Sequence, residues 1–240
     1  KYDRKVSHDK DNLIVDGKKT KVIGEREIKN LLWKQLKVDV VIESTGVFTN
    51  PKDAKEHLEI GAKYVLITAP CKGEKPSLTV VPGVNHHLLK KEHKIISVAS
   101  CTTNCLVPVV HVLNKHFGIK RAWMTTAHAY TNDQELQDSF HKKFRRGRAA
   151  ALNIVPTSTG AAEAIDEVMP ELKGRINGLA LRVPVACGSL LDVVAEMNSV
   201  LKVAQINDAF KKAANKELKG ILEYSEEELV SSDVIKNPHS

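Results

Sequence analysis

The chain has 240 residues, 42% of them hydrophobic, and a formal net charge of +7. That length and content allow one large or two medium domains with a sizeable core. Its four cysteines form no CxxC pair, which argues against a zinc site and a disulfide framework, and no apolar run is long enough to span a membrane.

Residue 1 is Lys and no charged-then-apolar leader opens the chain, so no signal peptide is expected. A reducing, cytoplasmic setting is expected, with a plastid location left open. The isoelectric point of about 9.1 would attract anions, either phosphorylated ligands or nucleic acid. The lysines are spread along the chain, which reads as a solvated surface with one exception below.

Leu13-Ile14-Val15 and Lys21-Val22-Ile23 read as strands around the turn Asp16-Gly17-Lys18-Lys19. Glu25-Arg26 follows, and on its own Arg26 reads as a surface charge. Val38–Glu43 is an apolar run suited to a parallel strand with both faces covered. It leads into Ser44-Thr45-Gly46-Val47-Phe48-Thr49, and Asn50-Pro51 opens a helix to about Ile60. Tyr64–Ile67 is the next strand, ending at Thr68. Strand–helix–strand with short joints makes a right-handed βαβ unit, and ligands bind beyond the carboxyl ends of such strands. That puts Thr45, Gly46 and Thr68 on the binding edge; the alternative for each is an ordinary loop residue.

Ile95–Val98 reads as a buried strand and roughly Thr103–His116 as a helix, with Cys101 at the joint. The first helical turn leaves N–H groups unpaired, and the positive end of the dipole favours a thiolate there. Ser100 and Thr102 add hydroxyls beside the sulfur. The alternative is an inert buried cysteine. Arg121–His128 reads as a strand with His128 at its exit. A lone His there is a structural residue; paired with Cys101 it supplies a base and an acid.

A polar loop runs from Thr131 through Asp133 to about Ala150. It carries the one basic cluster, His141–Arg148, which includes Arg146. The cluster reads as phosphate capture or as an RNA patch. Thr159-Gly160 opens a helix from about Ala161, either an anion site or a plain cap. Arg182 lies inside the apolar strand Leu179–Pro184, where a charge is costly unless it meets an anion or a structural carboxylate. Val193–Ala195 reads as a strand and Val203–Asn215 as an amphipathic helix.

Ser100-Cys101-Thr102-Thr103-Asn104-Cys105 resembles the active-site signature of phosphorylating glyceraldehyde-3-phosphate dehydrogenases. Glu43-Ser44-Thr45-Gly46-Val47-Phe48-Thr49, Thr126-Ala127-His128-Ala129-Tyr130-Thr131, Ser158-Thr159-Gly160 and Arg182-Val183-Pro184 are similar to further strings of that family, in the same order. The resemblance covers nearly the whole chain. It implies an α/β fold: the remainder of a Rossmann-type cofactor domain over residues 1–100, then an α+β catalytic domain with a mostly antiparallel sheet over 101–240. It implies oxidation of glyceraldehyde 3-phosphate with NAD, or NADP, and inorganic phosphate, through a Cys101 thioester, in a homotetramer and without a metal.

The same resemblance assigns roles. Cys101 and His128 are the catalytic pair. Thr131 and Arg182 hold the substrate phosphate, while Ser100, Thr159 and Gly160 hold the attacking phosphate. Thr102, Asp133 and Arg146 accompany them, and Arg26, Thr45, Gly46, Phe48 and Thr68 lie at the cofactor.

The sequence departs from the family at three places. No G-x-G-x-x-G turn occurs, nor its following acidic residue, and Ser231–Ser240 is similar to a segment that runs on, so a chain cut at both ends is expected. Ser139-Phe140 stands where NAD-preferring members carry Leu-Pro, and a small polar residue there is similar to members that accept NADP. Val185 replaces the Thr after Arg-Val-Pro. The alternative function is a basic nucleic-acid-binding protein on a degenerate dehydrogenase scaffold, which steep salt dependence would reveal.

Overall fold

The computed structural model describes residues 3–239. It opens with a three-stranded antiparallel sheet of β1 (Val6–His8), β2 (Asn12–Val15) and β3 (Lys18–Lys21), in that order. The hairpin turn is shorter than expected. Asp16 and Gly17 alone make it, with φ of 49° and 81°, the left-handed pair that suits the twist of a two-residue hairpin. Lys18 and Lys19 therefore belong to β3, and Val22 and Ile23 lie beyond it.

The second sheet holds β4 (Val40–Glu43), β5 (Tyr64–Ile67), β6 (Leu78–Thr79) and β7 (Ile95–Ser97), in the order β4-β5-β7-β6, with every pair parallel. The expectation that the first of these strands is covered on both faces is corrected. Val41 and Glu43 are buried, but Val40 and Ile42 are 51% and 63% exposed. β4 lies at the sheet edge, and its outer face opens on a crevice shared with Arg26, Thr45 and Phe48. The helix expected to Ile60 is two short pieces, α1 (Pro51–Ala54) and α2 (Glu56–Glu59), with Asn50 capping the first through Lys52 N at 3.1 Å.

The third sheet holds β8 (Ile119–Ala129), β9 (Val155–Thr157), β10 (Ile176–Val183) and β11 (Ser189–Met197), in the order β11-β8-β10-β9. Only β8 and β10 run parallel; the other two pairs are antiparallel. His128 is not at the exit of its strand but one residue inside it, 9% exposed. Three helices complete the fold: α3 (Cys101–Phe117), α4 (Ala161–Val168) and α5 (Val203–Asn215).

The main core forms where α3 meets α4 and β8. Leu106, Val107 and Val110 of α3 pack with Ile165 of α4 and with Ile119 and Met124 of β8. Burying each such side chain contributes about 1.5–3 kcal/mol. Val81 and Val84, which follow β6, enter the same cluster and link the parallel-sheet half to it, while Val65, Ile67 and Ile95 of the parallel sheet pack with Ala54 in a cluster of their own. That link holds the start of α3 at the joint between the two sheets. Among the described residues, no helix is long and apolar enough to cross a membrane.

Candidate active site

α3 begins at Cys101, two residues earlier than expected. Ser100 is its cap: the Ser100 hydroxyl accepts from Thr103 N at 3.1 Å and meets Thr103 Oγ1 at 2.7 Å. Just before it, Ala99 holds a left-handed φ of 55°, strained for a residue with a side chain. Ala99 N donates to Ser97 Oγ at 3.0 Å, which helps to hold that turn. Asn104 fastens it from the other side, donating to the carbonyls of Val98 (2.8 Å) and Ser100 (2.9 Å). The sharp turn leaves Cys101 exposed as a residue at the helix start, while its sulfur is partly covered by its neighbours. Sequence reasoning missed Ala99, whose identity carries no sign of a left-handed backbone. It could have found Asn104, a short amide in a first helical turn.

The structure brings Cys101 and His128 together. Cys101 Sγ lies 3.3 Å from His128 Nε2, and His128 Nδ1 donates to the Ala129 carbonyl at 2.7 Å. With the proton fixed on Nδ1, Nε2 is the nitrogen that exchanges a proton with the sulfur. The His128 hydrogen bond lowers the Cys101 thiol to about 7, against burial, which pushes it up. The same bond raises His128, opposed by burial and by the Arg182 charge. Both shifts favour a thiolate–imidazolium pair. Thr102 Oγ1 is 4.0 Å from the sulfur. Cys105, one turn on, is pushed the other way by its burial.

Arg182 does not meet a carboxylate. Its Nη1 donates to Thr131 Oγ1 at 2.7 Å and to the Ala129 carbonyl at 3.2 Å, and its buried Nε has no partner. Thr131 in turn donates to Asp133 at 2.5 Å. Asp133 pairs with Arg146, whose Nε donates to Thr157 Oγ1 at 3.1 Å. Arg182, Thr131, Asp133 and Arg146 thus form one connected network beside His128. An arginine that holds neutral oxygens and no carboxylate keeps charge free for an anion.

The basic cluster does not form one face. Arg146 turns inward to this network and Arg148 pairs with Asp138 at 2.9 Å, which weakens the nucleic-acid alternative.

Gly160, not Thr159, occupies the cap position of α4, while Thr159 Oγ1 accepts from Ala161 N at 3.2 Å. Gly160 and Ala99 line one cleft of about 220 Å³, so the start of α4 stands beside the nucleophile turn.

The remaining residues do not line the small pocket around Cys101. Arg26, Thr45 and Phe48 line a crevice of about 820 Å³ along β4. The Thr45 hydroxyl is not free: it donates to the Glu43 carboxylate and accepts from Val47 N at 3.1 Å. Thr68 Oγ1 donates to the Glu43 carbonyl at 3.2 Å. Gly46 has φ of 76° and open space where a Cβ would stand, between Thr45 and Val47, which line the crevice.

The family model described as "Glyceraldehyde 3-phosphate dehydrogenase, C-terminal domain" matches residues 100–240. The chain belongs to the glyceraldehyde-3-phosphate dehydrogenase family. The model of that family's NAD binding domain matches residues 1–51. Over 241 aligned residues the chain is 53% identical to "Glyceraldehyde-3-phosphate dehydrogenase 1" of Bacillus subtilis (strain 168), covering all of this chain and 71% of that one. It is 53% identical to the enzyme of Geobacillus stearothermophilus, over 97% of this chain and 69% of the relative. The figure for Mycobacterium avium is 55%, over 96% and 68%.

NAD is therefore the cofactor to be fitted. The crevice suits it: it runs along β4 and reaches the strand's carboxyl end at Glu43 and Thr45, where ligands of parallel sheets bind.

Proposed function

We propose that the chain oxidises glyceraldehyde 3-phosphate with NAD and inorganic phosphate to 1,3-bisphosphoglycerate, through a thioester on Cys101. The observation that carries this reading is the 3.3 Å approach of Cys101 Sγ to His128 Nε2, with the thiol lowered to about 7. A substantial fraction of the sulfur is then thiolate at neutral pH, the form that adds to an aldehyde carbon.

Cys101 Sγ adds to the carbonyl and forms a hemithioacetal. His128 protonates the developing alkoxide, then takes the hydroxyl proton back as the carbon is oxidised. Bound NAD supplies the acceptor for the hydride that leaves that carbon. Phosphate oxygen attacks the resulting thioester, the carbon–sulfur bond breaks, and Cys101 leaves as thiolate. His128, charged at that point, stabilises the departing sulfur.

Arg182 and Thr131 hold the substrate phosphate, with Asp133 and Arg146 bracing them from behind. Ser100, Thr102, Thr159 and Gly160 surround the attacking phosphate. Thr45, Gly46, Phe48, Thr68 and Arg26 shape the cofactor crevice, Gly46 through backbone. We read residues 1–100 as cofactor-binding and 101–240 as catalytic, a division supported by the parallel and mixed sheets on either side of residue 100.

The protein is read as a cytoplasmic homotetramer. Four free cysteines support the reducing setting. Trp123 and Val194, register partners on β8 and β11, are 46% and 66% exposed, an apolar pair on the outer face of the sheet that supports self-association. The test of the activity is aldehyde- and phosphate-dependent NADH formation in the enzyme and in Cys101→Ser. Loss of turnover in the variant is expected, and turnover that survives it would overturn the reading.

A further inference from the structure

A chain of buried polar groups stands behind the cofactor crevice, and the mechanism above does not use it. The side chains of Glu43 and His57 are each only 4% exposed. Trp33 Nε1 donates to His57 Nδ1 at 3.0 Å, and His57 Nε2 faces Glu43 Oε2 at 3.5 Å. On the far side, Glu43 Oε1 accepts from Thr45 N at 2.8 Å and from the Thr45 hydroxyl. The Glu43 main-chain carbonyl accepts from Thr68 N at 3.0 Å and from Thr68 Oγ1 at 3.2 Å. One residue therefore ties together the carboxyl ends of β4 and β5.

The donor inventory fixes the protons. An indole N–H can only donate, so His57 Nδ1 must accept and the ring proton sits on Nε2, toward Glu43. A buried carboxylate is costly unless such groups satisfy it. Here Thr45 serves one oxygen, while the imidazole, pinned in one tautomer, faces the other at 3.5 Å without closing a hydrogen bond, so that His57 Nε2 is unpartnered.

Given the cofactor reading of the Thr45–Gly46 turn, on which this rests, we propose that Glu43 is a positioning residue for NAD. Bonded to Thr45 and backed by the Trp33–His57 pair, it sets the turn so that the Gly46 backbone meets the cofactor.

The test uses NAD⁺ binding by calorimetry, without aldehyde. In Glu43→Gln the amide oxygen can still accept from Thr45, but its N–H₂ then meets the Nε2–H of His57. Trp33 prevents the ring from moving its proton away. The Kd for NAD⁺ is expected to rise roughly tenfold, the effect of one unpaired buried donor, with the alkylation rate of Cys101 unchanged. In Glu43→Gln/Trp33→Phe the ring can carry its proton on Nδ1 and accept on Nε2. Its Kd is expected within about threefold of that of Trp33→Phe alone, because the mismatch is relieved.

An unchanged Kd in Glu43→Gln, or a loss that the second change does not relieve, would overturn the proposal. Gly46→Ala separates it from the underlying reading. If Gly46→Ala leaves the Kd unchanged, the turn does not meet NAD and both fall. If it weakens binding while Glu43→Gln does not, only the role of Glu43 falls. Ring ¹⁵N shifts of His57 in the unmutated protein give a check that needs no variant: a proton on Nδ1 would overturn the relay.

Discussion

His128 and Arg182 are register partners on the parallel strands β8 and β10, and both donate to the same acceptor, the Ala129 carbonyl, at 2.7 and 3.2 Å. One peptide group thus orients the base and the anion-binding arginine together. The arginine charge also opposes protonation of the imidazole, against the larger effect of the Cys101 hydrogen bond. Arg182→Gln is expected to raise the pKa of His128, read by histidine NMR across a pH titration. The KM for the phosphorylated aldehyde should rise roughly 10- to 100-fold, the scale of a hydrogen bond to a charged group. An unmoved KM would remove Arg182 from substrate binding.

The depressed thiol predicts a pH profile. Cys101 should alkylate with iodoacetamide faster than Cys71, Cys105 or Cys187, with a rate that climbs as pH rises through about 7. The sign follows from the causes: His128 lowers the thiol and burial raises it, so His128→Asn leaves burial in command. The inflection should then move up to or beyond the ordinary thiol value of about 8.5. Peptide mass spectrometry after brief labelling reads both results. Faster labelling at Cys71, whose thiol burial pushes up, would count against the assignment.

In the same variant, hydride transfer should slow by roughly 10²–10⁴, the usual range for general acid–base catalysis. Single-turnover absorbance of NADH measures it directly. Binding of the substrate phosphate should stay close to normal, because Arg182 keeps its bond to Thr131. Undiminished single-turnover rates would remove His128 from the chemistry.

Gly178 reports on the sheet beneath the site. A Cβ there would stand inside contact distance of the Met124 backbone carbonyl, in the closely paired β10 and β8. Gly178→Ala is expected to destabilise the fold by about 1–3 kcal/mol through overpacking, measured by urea unfolding. Because His128 lies further along β8, Cys101 alkylation should also slow. A fully stable variant would show that the strands can part at no penalty.

Local chemistry was legible in the sequence; long-range consequences were not. Tyr64–Ile67 and Val203–Asn215 have the limits that their patterns predict. Cys101 at a helix start is also visible, since strand, turn and helix follow within ten residues. The exposure of Val40 and Ile42 was not, because an apolar strand reads alike whether one face or two are covered. Ala99 gave no sign of its backbone strain. Glu43 reads in the sequence only as the end of a strand, because its surroundings depend on Trp33 and His57, which lie 24 residues apart in the chain. Asp133 and Arg146 read as companions of the phosphate residues, but their pairing with each other and the Thr131 bond to Asp133 depend on loop packing that no local pattern carries.

The central claim is that Cys101 carries the acyl group. The most direct measurement is mass spectrometry of the enzyme mixed with glyceraldehyde 3-phosphate and NAD⁺ without phosphate, quenched in acid and digested. A phosphoglyceroyl adduct is expected on the Cys101 peptide and should disappear when phosphate is added before the quench. Turnover with no adduct on Cys101, or with the adduct on Cys71 or Cys187, would contradict it.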